Sequence, residues 1–327
     1  MIKKIFTIIA SAVIATGILS GCGSETIIKN KEKLSVVCTI FPEYDWTREI
    51  LGNHAEDTEI TYLLDNGIDL HNFQPSANDM IKISECDMFI YVGGESDGWV
   101  DDALSTANNK NMQVINLMEV MGNSAKEEEI KEGMMPEDEE ESEEAVEEPE
   151  YDEHFWTSLR NAELFCIKIS DSLCVLDPEN ADDYKKNLDD YTNKLDNLDK
   201  KFEKMITNAP VKTLIFGDRF PFRYFVEDYG LDYYAAFVGC SAETEASFET
   251  ISFLAGKMDE LNADTIYAIE NSDKSIAESI IQNTKRKDQS IAELNSMQSV
   301  TSEMISDGTT YLGLMEQNYI VLEETLY

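Results

Sequence analysis

Two histidines stand in polar loops where they could bind a metal ion. His71 lies in the segment DLHNFQPS directly after an apolar run, and His154 lies in the segment DEHFW. Neither falls on the apolar face of a predicted helix. Two imidazoles from separate loops, together with carboxylates, form a ligand set that suits Zn²⁺ or Mn²⁺. The third histidine, His54, falls in the turn GNHA and is interpreted as a surface residue.

A serine motif offers a different chemistry. The segment GESDG, residues 94–98, matches the G-x-S-x-G nucleophile motif and falls between a predicted strand and a predicted helix. A catalytic triad needs a histidine base, and the only histidine that follows Ser96 in the chain is His154. The carboxylates beside Ser96 would oppose the oxyanion of acyl transfer. We therefore interpret the motif as a polar turn that opens a helix, and we predict no catalytic residue.

The charge of the chain restricts its partners. The 327 residues carry a formal net charge of −39, although 43% of them are hydrophobic. So acidic a surface repels the phosphates of nucleic acids, which are therefore excluded as partners, and it attracts cations.

The first residues predict export and a lipid anchor. Lys3 and Lys4 precede an apolar run that ends in LSGC, which is typical of a signal peptide over residues 1–21. The small residues before Cys22 resemble a lipoprotein cleavage site, so we expect lipidation of Cys22 and an extracytoplasmic protein held at the cell membrane. A plain signal peptide is the alternative. Residues 22–33 are interpreted as a tether. The five later cysteines are interpreted mostly as buried thiols: Cys38, Cys86, Cys166, Cys174 and Cys240.

Apolar runs alternate with amphipathic stretches in two blocks, which is typical of α/β lobes with parallel sheets. The first block, 34–125, has predicted strands at 34–40, 59–64, 87–93 and 112–118 and helices near 45–52, 77–85 and 99–107. The second block, 209–327, has predicted strands at 213–217, 231–237, 265–270 and 290–295 and helices at 222–229, 246–261, 275–284 and 309–325.

Three segments separate the two blocks. Residues 126–153 contain 16 acidic residues and form a predicted acidic loop, either a solvated spacer or a collector of cations. Residues 154–177 are a connecting helical segment. Residues 178–208 are a predicted linking helix, because an apolar stripe repeats every three or four residues from Tyr184 to Met205. A seam between two chains of a coiled-coil dimer would give the same stripe.

Several segments resemble those of a known family. They are LSVVCTIFPEYDW, DLHNFQPSANDM, YVGGESDGW, DEHFWTSLRNA, DPENADDYKKNLDDY, RYFVEDYGL, SAETEASF and YLGLMEQNYIVLEETL. In this order, from about residue 34 to residue 327, they resemble the metal-binding solute receptors of ABC importers (cluster A-I), the zinc- and manganese-receptor lipoproteins. The resemblance implies two parallel-sheet α/β lobes, joined by one long rigid helix, with the metal held between them.

The resemblance also implies metal ligands. His71 and His154 match the first two histidines of the family. The third ligand, His or Glu in the family, matches Asp218 when counted forward through TLIFG and Arg219 when counted back from YGL; arginine stays protonated, so Asp218 is favoured. The fourth, a carboxylate, matches Glu270, or Asp273 with a shifted gap. Glu243, in SAETEAS, is a spare carboxylate.

The function that follows is an extracytoplasmic receptor, not an enzyme, that delivers a divalent metal to an ABC permease and its ATPase. Zinc is the favoured cargo and manganese the alternative, and we expect a monomer. Two other classes stay open: an adhesin or interaction lipoprotein with a structural metal, and a surface hydrolase.

Overall fold

A computed structural model describes residues 33–135, 150–241 and 245–327. The first described residues form a four-stranded parallel sheet in the order β2-β1-β3-β4. Its strands are β1 (Leu34–Cys38), β2 (Thr58–Tyr62), β3 (Met88–Tyr91) and β4 (Gln113–Asn116). The helices of this lobe are α1 (Phe41–Leu51), α2 (Ala77–Glu85), α3 (Val100–Thr106) and α4 (Leu117–Met121). The predicted strands are confirmed to within a few residues, and α1 begins earlier than expected, at a Phe-Pro pair that suits a first helical turn.

The second lobe repeats this arrangement, with a parallel sheet in the order β6-β5-β7-β8. Its strands are β5 (Thr213–Arg219), β6 (Asp232–Phe237), β7 (Thr265–Ile269) and β8 (Ser290–Leu294). Its helices are α7 (Arg223–Tyr229), α8 (Phe248–Leu261), α9 (Ser275–Asn283), α10 (Ser302–Ser306) and α11 (Tyr311–Thr325). Each sheet order places the second strand outside the first, so both lobes have the predicted α/β class and the same topology.

Two long helices lie between the lobes. They are α5 (Leu159–Leu176) and α6 (Ala181–Asn208). A short 3-10 turn, Pro178–Asn180, precedes α6, so the helix starts three residues later than Pro178 would suggest. The apolar stripe of α6 is buried within the chain, with Leu195 and Phe202 fully covered, and one hydrophobic cluster continues through it from lobe to lobe. The coiled-coil seam is therefore wrong, because the same chain already covers the stripe.

No helix in the described part of the chain is long and apolar enough to cross a membrane. The described cysteines are all free thiols, of which Cys38, Cys86 and Cys166 are buried, as predicted, whereas Cys174 and Cys240 are partly exposed. Cys22 and the predicted signal peptide and tether lie outside the described residues, apart from Lys33.

Two buried carboxyl groups on α1 predict how stability depends on pH. Burial raises the pKa of Glu43 to about 8 and that of Asp45 to about 7. In the unfolded chain such groups ionise near pH 4. The folded protein therefore binds more protons from about pH 4 to pH 7, and the free energy of unfolding falls as pH rises, by at most about 1.4 kcal/mol per pH unit for each group. Urea denaturation across this range checks the slope, and Glu43→Gln should flatten it. An unchanged slope in that variant would contradict the assignment.

Candidate metal centre

The first histidine is fixed on a turn that follows β2. His71 lies in a 3-10 turn, Leu70–Asn72, and its backbone N–H donates to the Asp69 carboxylate at 3.1 Å. Its Nδ1 lies 2.7 Å from the Ser96 hydroxyl oxygen, in the turn after β3. Both turns lie at the carboxyl edge of a parallel sheet, which is where ligand sites form in such sheets. The serine contact fixes the ring, so that Nε2 is directed away from this turn.

The second histidine is held at the start of the helical connection. His154 is fully buried, and its backbone N–H donates to Asp152 at 2.9 Å. The same carboxylate oxygen lies 3.1 Å from Nδ1 of the ring. A carboxylate that accepts the Nδ1 proton of a histidine leaves Nε2 as the ligand atom and orients the ring for a metal.

In each histidine the Nδ1 atom has a hydrogen-bond partner, and the two Nε2 atoms face one another. The Nε2 atoms of His71 and His154 are 3.3 Å apart. Two nitrogens bound to one tetrahedral zinc, each at about 2.0–2.1 Å, would be separated by about 3.3 to 3.4 Å. The pair therefore already has the separation of two ligands on one ion, and the structure brings together the two histidines that the sequence singled out.

The charges around the pair differ between the two rings. Burial and the neighbouring His154 lower the pKa of His71 to about 3. Burial also disfavours a charged His154, but the carboxylates of Asp152 and Glu153 outweigh it and raise the pKa of His154. One ring is thus neutral across the usual pH range, and the other is the ring that a proton and a metal compete for.

A cysteine completes a three-residue cluster that sequence reasoning missed. Potential ligand atoms of His71, His154 and Cys240 all lie within 4.8 Å of one another. Cys240 comes shortly after β6 and lines a cavity of about 310 Å³ with His71 and the carboxylates Glu95, Glu128, Glu150 and Glu153. It was interpreted as one of several apolar thiols. Its place just beyond the carboxyl end of a strand was the one available signal.

The predicted carboxylate ligands line a neighbouring cavity instead. Asp218, Glu270 and Asp273 surround a cavity of about 450 Å³ together with Asp69 and Arg219. The Asp218 carboxylate accepts from the backbone N–H of Arg219 and of Ile269. The cluster of three potential metal ligands does not include these carboxylates.

Glu270 is tied to the loop after β8. Its two oxygens accept from the backbone N–H and hydroxyl of Ser296 and from the backbone N–H of Gln298, at 2.6–3.0 Å. Burial nevertheless raises the pKa of this carboxyl group. Asp273 is exposed and accepts from the N–H of Ser275. The spare carboxylate, Glu243, lies outside the described residues.

Arg219, the residue reached by the backward count, bridges the two lobes. Its Nη2 lies 2.6 Å from the Asp69 carboxylate, and Asp69 also holds the backbone of His71. Arg219 is the main cause that lowers the pKa of Asp69 against the opposing effect of burial. The guanidinium therefore contributes an ion pair beside the site and no ligand atom.

Of the two other sequence predictions, the one for His54 agrees with the structure and the one for the serine motif needs a correction. His54 bonds Asp183 at 3.0 Å and takes no part in the cluster. The expectation that only His154 could serve Ser96 was wrong, because the histidine beside it is His71. The Ser96 hydroxyl lies 2.7 Å from Nδ1 of His71, a distance at which a serine can be a nucleophile. However, the backbone N–H of Ser96 donates to the Glu153 carboxylate at 3.0 Å. That negative charge occupies the place where an oxyanion would need donors, so Ser96 orients His71.

The Asp152 carboxylate should control metal affinity without touching the metal. We expect Asp152→Asn to weaken zinc binding by about 10- to 100-fold. A neutral amide accepts the Nδ1 proton of His154 more weakly than a carboxylate does, so the ring is held less firmly. Competition against a zinc chelator checks this. The matched control is Asp87→Asn, at the opposite edge of the first sheet, where the carboxylate bonds Ser35. Equal losses in both variants would mean a general effect on folding.

The fold has counterparts among known proteins. The Zn(II)-bound ZnuA-like domain of Streptococcus pneumoniae AdcA has a similar structure, with a TM-score of 0.69 and 26% identity, over 90% of this chain and 99% of that domain. The zinc-binding lipoprotein AdcA of Streptococcus pneumoniae is 29% identical over 99% of this chain and 61% of its own length. The high-affinity zinc uptake system protein ZnuA of Bacillus subtilis is 25% identical over 90% of this chain and 88% of its own.

The chain spans about three fifths of the length of the AdcA relatives that it matches. Two α/β lobes with a paired-histidine site between them define the class of metal-binding receptors to which the resemblance pointed. A family model described as "Zinc-uptake complex component A periplasmic" matches residues 36–325. The chain therefore belongs to this family, ZnuA.

Proposed function

We propose that the protein is an extracytoplasmic receptor that captures one divalent transition metal between its lobes and delivers it to an ABC permease and its ATPase. The observation that carries the proposal is the pair of Nε2 atoms at 3.3 Å, each directed by a hydrogen bond at its own Nδ1. A metal binds histidine at an unprotonated nitrogen, so capture releases any proton that either Nε2 atom carries.

Zinc is the favoured cargo and manganese the alternative. Imidazole ligands and a tetrahedral separation suit zinc, whereas carboxylate and water ligands suit manganese. The zinc-binding names of the relatives AdcA and ZnuA support the same choice. Asp218 and Glu270 stay predictions as further ligands. Both line the neighbouring cavity, and ligation by either would require its present hydrogen bonds to break.

The location and anchor are part of the same proposal. The family description names a periplasmic component of an uptake complex, and a relative is named a lipoprotein. A lipid on Cys22 would hold the receptor at the membrane beside its permease, and we propose that it acts as a monomer. The alternatives are an adhesin with a structural metal and a surface hydrolase. The contact between Ser96 and His71 would serve a hydrolase, but the Glu153 carboxylate beside it opposes an oxyanion.

Metal content tests the proposal directly. We expect mass spectrometry of the protein, purified without added metal, to find about one zinc per chain. A competition titration of zinc against manganese then identifies the cargo, and manganese preference would change the cargo but keep the receptor. Failure to bind either metal would refute the proposal. Labelling by a fluorophosphonate would instead favour the hydrolase.

The acidic loop is proposed to collect cations at the mouth of the site. Its described ends, 126–135 and 150–153, form a stem joined by backbone bonds between Glu128 and Glu150 and between Asp152 and Lys126. The stem places Glu128 and Glu150 in the cavity with His71. The nine acidic residues of 136–149 lie outside the described residues.

Shortening that segment tests the loop. We expect a chain in which residues 136–149 are replaced by a short Gly-Ser linker to bind zinc more slowly at low salt. Fewer carboxylates would then remain to raise the concentration of cations near the site. The equilibrium affinity should hold, because the stem and its contacts with the second lobe remain. A stopped-flow measurement with a fluorescent zinc competitor gives the rate.

The control for length is a chain that keeps all 14 residues of the segment but has its acidic residues changed to Ser, Asn and Gln. This chain should also bind zinc slowly. Equal rates in all three chains would make the loop a spacer.

A further inference from the structure

We propose that Cys240 is a thiolate ligand of the captured metal and that it makes the receptor select zinc over manganese. This inference rests on the proposed function, because it concerns the same site. It assigns the third position to a residue that neither the family resemblance nor the carboxylate pattern indicated.

The backbone before Cys240 approaches the second histidine closely. A Cβ added at Gly239 would lie 2.9 Å from Cε1 and 3.0 Å from Nδ1 of His154. A real Cβ atom essentially never lies within 3.0 Å of a non-bonded heavy atom, so a side chain at position 239 would force the ring or the turn to move. The backbone N–H of Cys240 also donates to Glu128 at 3.3 Å, which ties the turn to the stem of the acidic loop. Cys240 is thereby fixed beside the two imidazoles.

The candidate carboxylates are both held by hydrogen bonds away from the two histidines. Both oxygens of Glu270 accept hydrogen bonds from the Ser296–Gln298 loop, and both oxygens of Asp218 accept from backbone N–H groups. Moving either carboxylate to the histidines would break these hydrogen bonds. The buried donors left without an acceptor would cost free energy. The thiol already lies within 4.8 Å of the ligand atoms of His71 and His154.

The thiol of Cys240 must lose its proton to bind a metal, because the thiolate is the ligand form of cysteine. A divalent cation held between the imidazoles favours this ionisation, since a coordinating thiol is deprotonated. When zinc binds, a Zn–S bond forms, the S–H proton passes to water, and no oxidation state changes.

A thiolate changes which metals the site prefers. Zinc accepts mixed nitrogen and sulfur ligands in tetrahedral geometry, at about 2.3 Å for sulfur. Manganese binds oxygen ligands better than thiolates. A site of two imidazoles and one thiolate therefore favours zinc, whereas two imidazoles and two carboxylates would leave the choice more open.

Cobalt titration tests the ligand. Co²⁺ bound to a thiolate shows a sulfur-to-metal charge-transfer band in the near ultraviolet, and Co²⁺ bound only to imidazole and carboxylate does not. The whole protein, kept reduced by a phosphine, is titrated alongside Cys240→Ser and Cys174→Ser. The second variant is the matched control, because Cys174 is also partly exposed but bonds a backbone carbonyl on the helical connection.

We expect the charge-transfer band in the unchanged protein and in Cys174→Ser, and its loss in Cys240→Ser. Competition titrations should show the zinc-to-manganese affinity ratio falling by at least about tenfold in Cys240→Ser, or about 1.4 kcal/mol. Cobalt binding without the band, or an unchanged ratio in Cys240→Ser, would overturn the thiolate ligand but leave the receptor function standing. No cobalt or zinc binding to the unchanged protein would overturn both. Cys240→Ala serves if the serine variant does not fold.

Discussion

Replacing His154 with alanine should weaken zinc binding by at least about a thousandfold, or about 4 kcal/mol. The imidazole contributes one of the two nitrogens that are spaced for a single ion. It also interacts with Asp152, whose buried carboxylate would keep its bond from the backbone N–H of residue 154 but lose the ring. The loss therefore combines a missing metal bond with a site whose remaining ligands are no longer fixed.

A chelator competition titration measures this effect, and circular dichroism establishes that the variant is folded. His54→Ala is the matched control, because His54 is the one histidine of the three that bonds a surface carboxylate, Asp183, instead of the site. It should bind zinc as the unchanged protein does. His71→Ala should resemble His154→Ala. If both site variants retained full affinity, the metal would have to bind elsewhere.

Phe202→Ala should lower the free energy of unfolding by about 3–5 kcal/mol, which is the usual cost of removing a buried phenylalanine side chain. Phe202 lies on α6 and is fully buried. Its ring lies 5.2 Å from Phe225, 5.4 Å from Tyr229 and 5.3 Å from Tyr319. These rings belong to α7 and α11, so the Phe202 side chain packs the linking helix against two helices of the second lobe.

Urea denaturation of the metal-free protein measures the change. Lys201→Ala is the matched control, because the neighbouring position on the same helix is exposed and should alter stability by no more than about 0.5 kcal/mol. Zinc affinity of the folded fraction should be kept in Phe202→Ala, since the ring touches no residue of the cluster. A loss no larger than that of the control would mean that the linking helix is not held at this point.

Much of the fold could be predicted from local sequence. Each lobe has apolar runs that are buried on both faces, such as Met88–Tyr91, and these read as parallel strands because both faces of the sheet are covered. The stripe of α6 has helical spacing, and its residues are buried. His71 and His154 could be recognised because they lie in polar loops and not on the apolar face of a predicted helix. These signals depend on residues close in the chain.

The rest depended on contacts between distant residues. Whether the stripe of α6 faces a second chain or its own lobes cannot be read from spacing, because both arrangements bury the same side chains. Cys240 follows a strand in one lobe and reaches histidines that are 86 and 169 residues away in the chain. The backbone at Gly239 lies so close to the His154 ring that an added Cβ would collide with it, and this contact between distant residues cannot be read from the local sequence.

The sequence by itself therefore determined the two lobes, the linking helix and the two histidines, since periodicity and residue type are local properties. The tertiary structure alone decided which third side chain meets them. Asp218 and Glu270 have the right chemistry, but hydrogen bonds formed on folding hold their oxygens in the neighbouring cavity. A thiol with no distinguishing motif is brought to the imidazoles, because ligand geometry is set by the packing of two lobes and not by spacing along the chain.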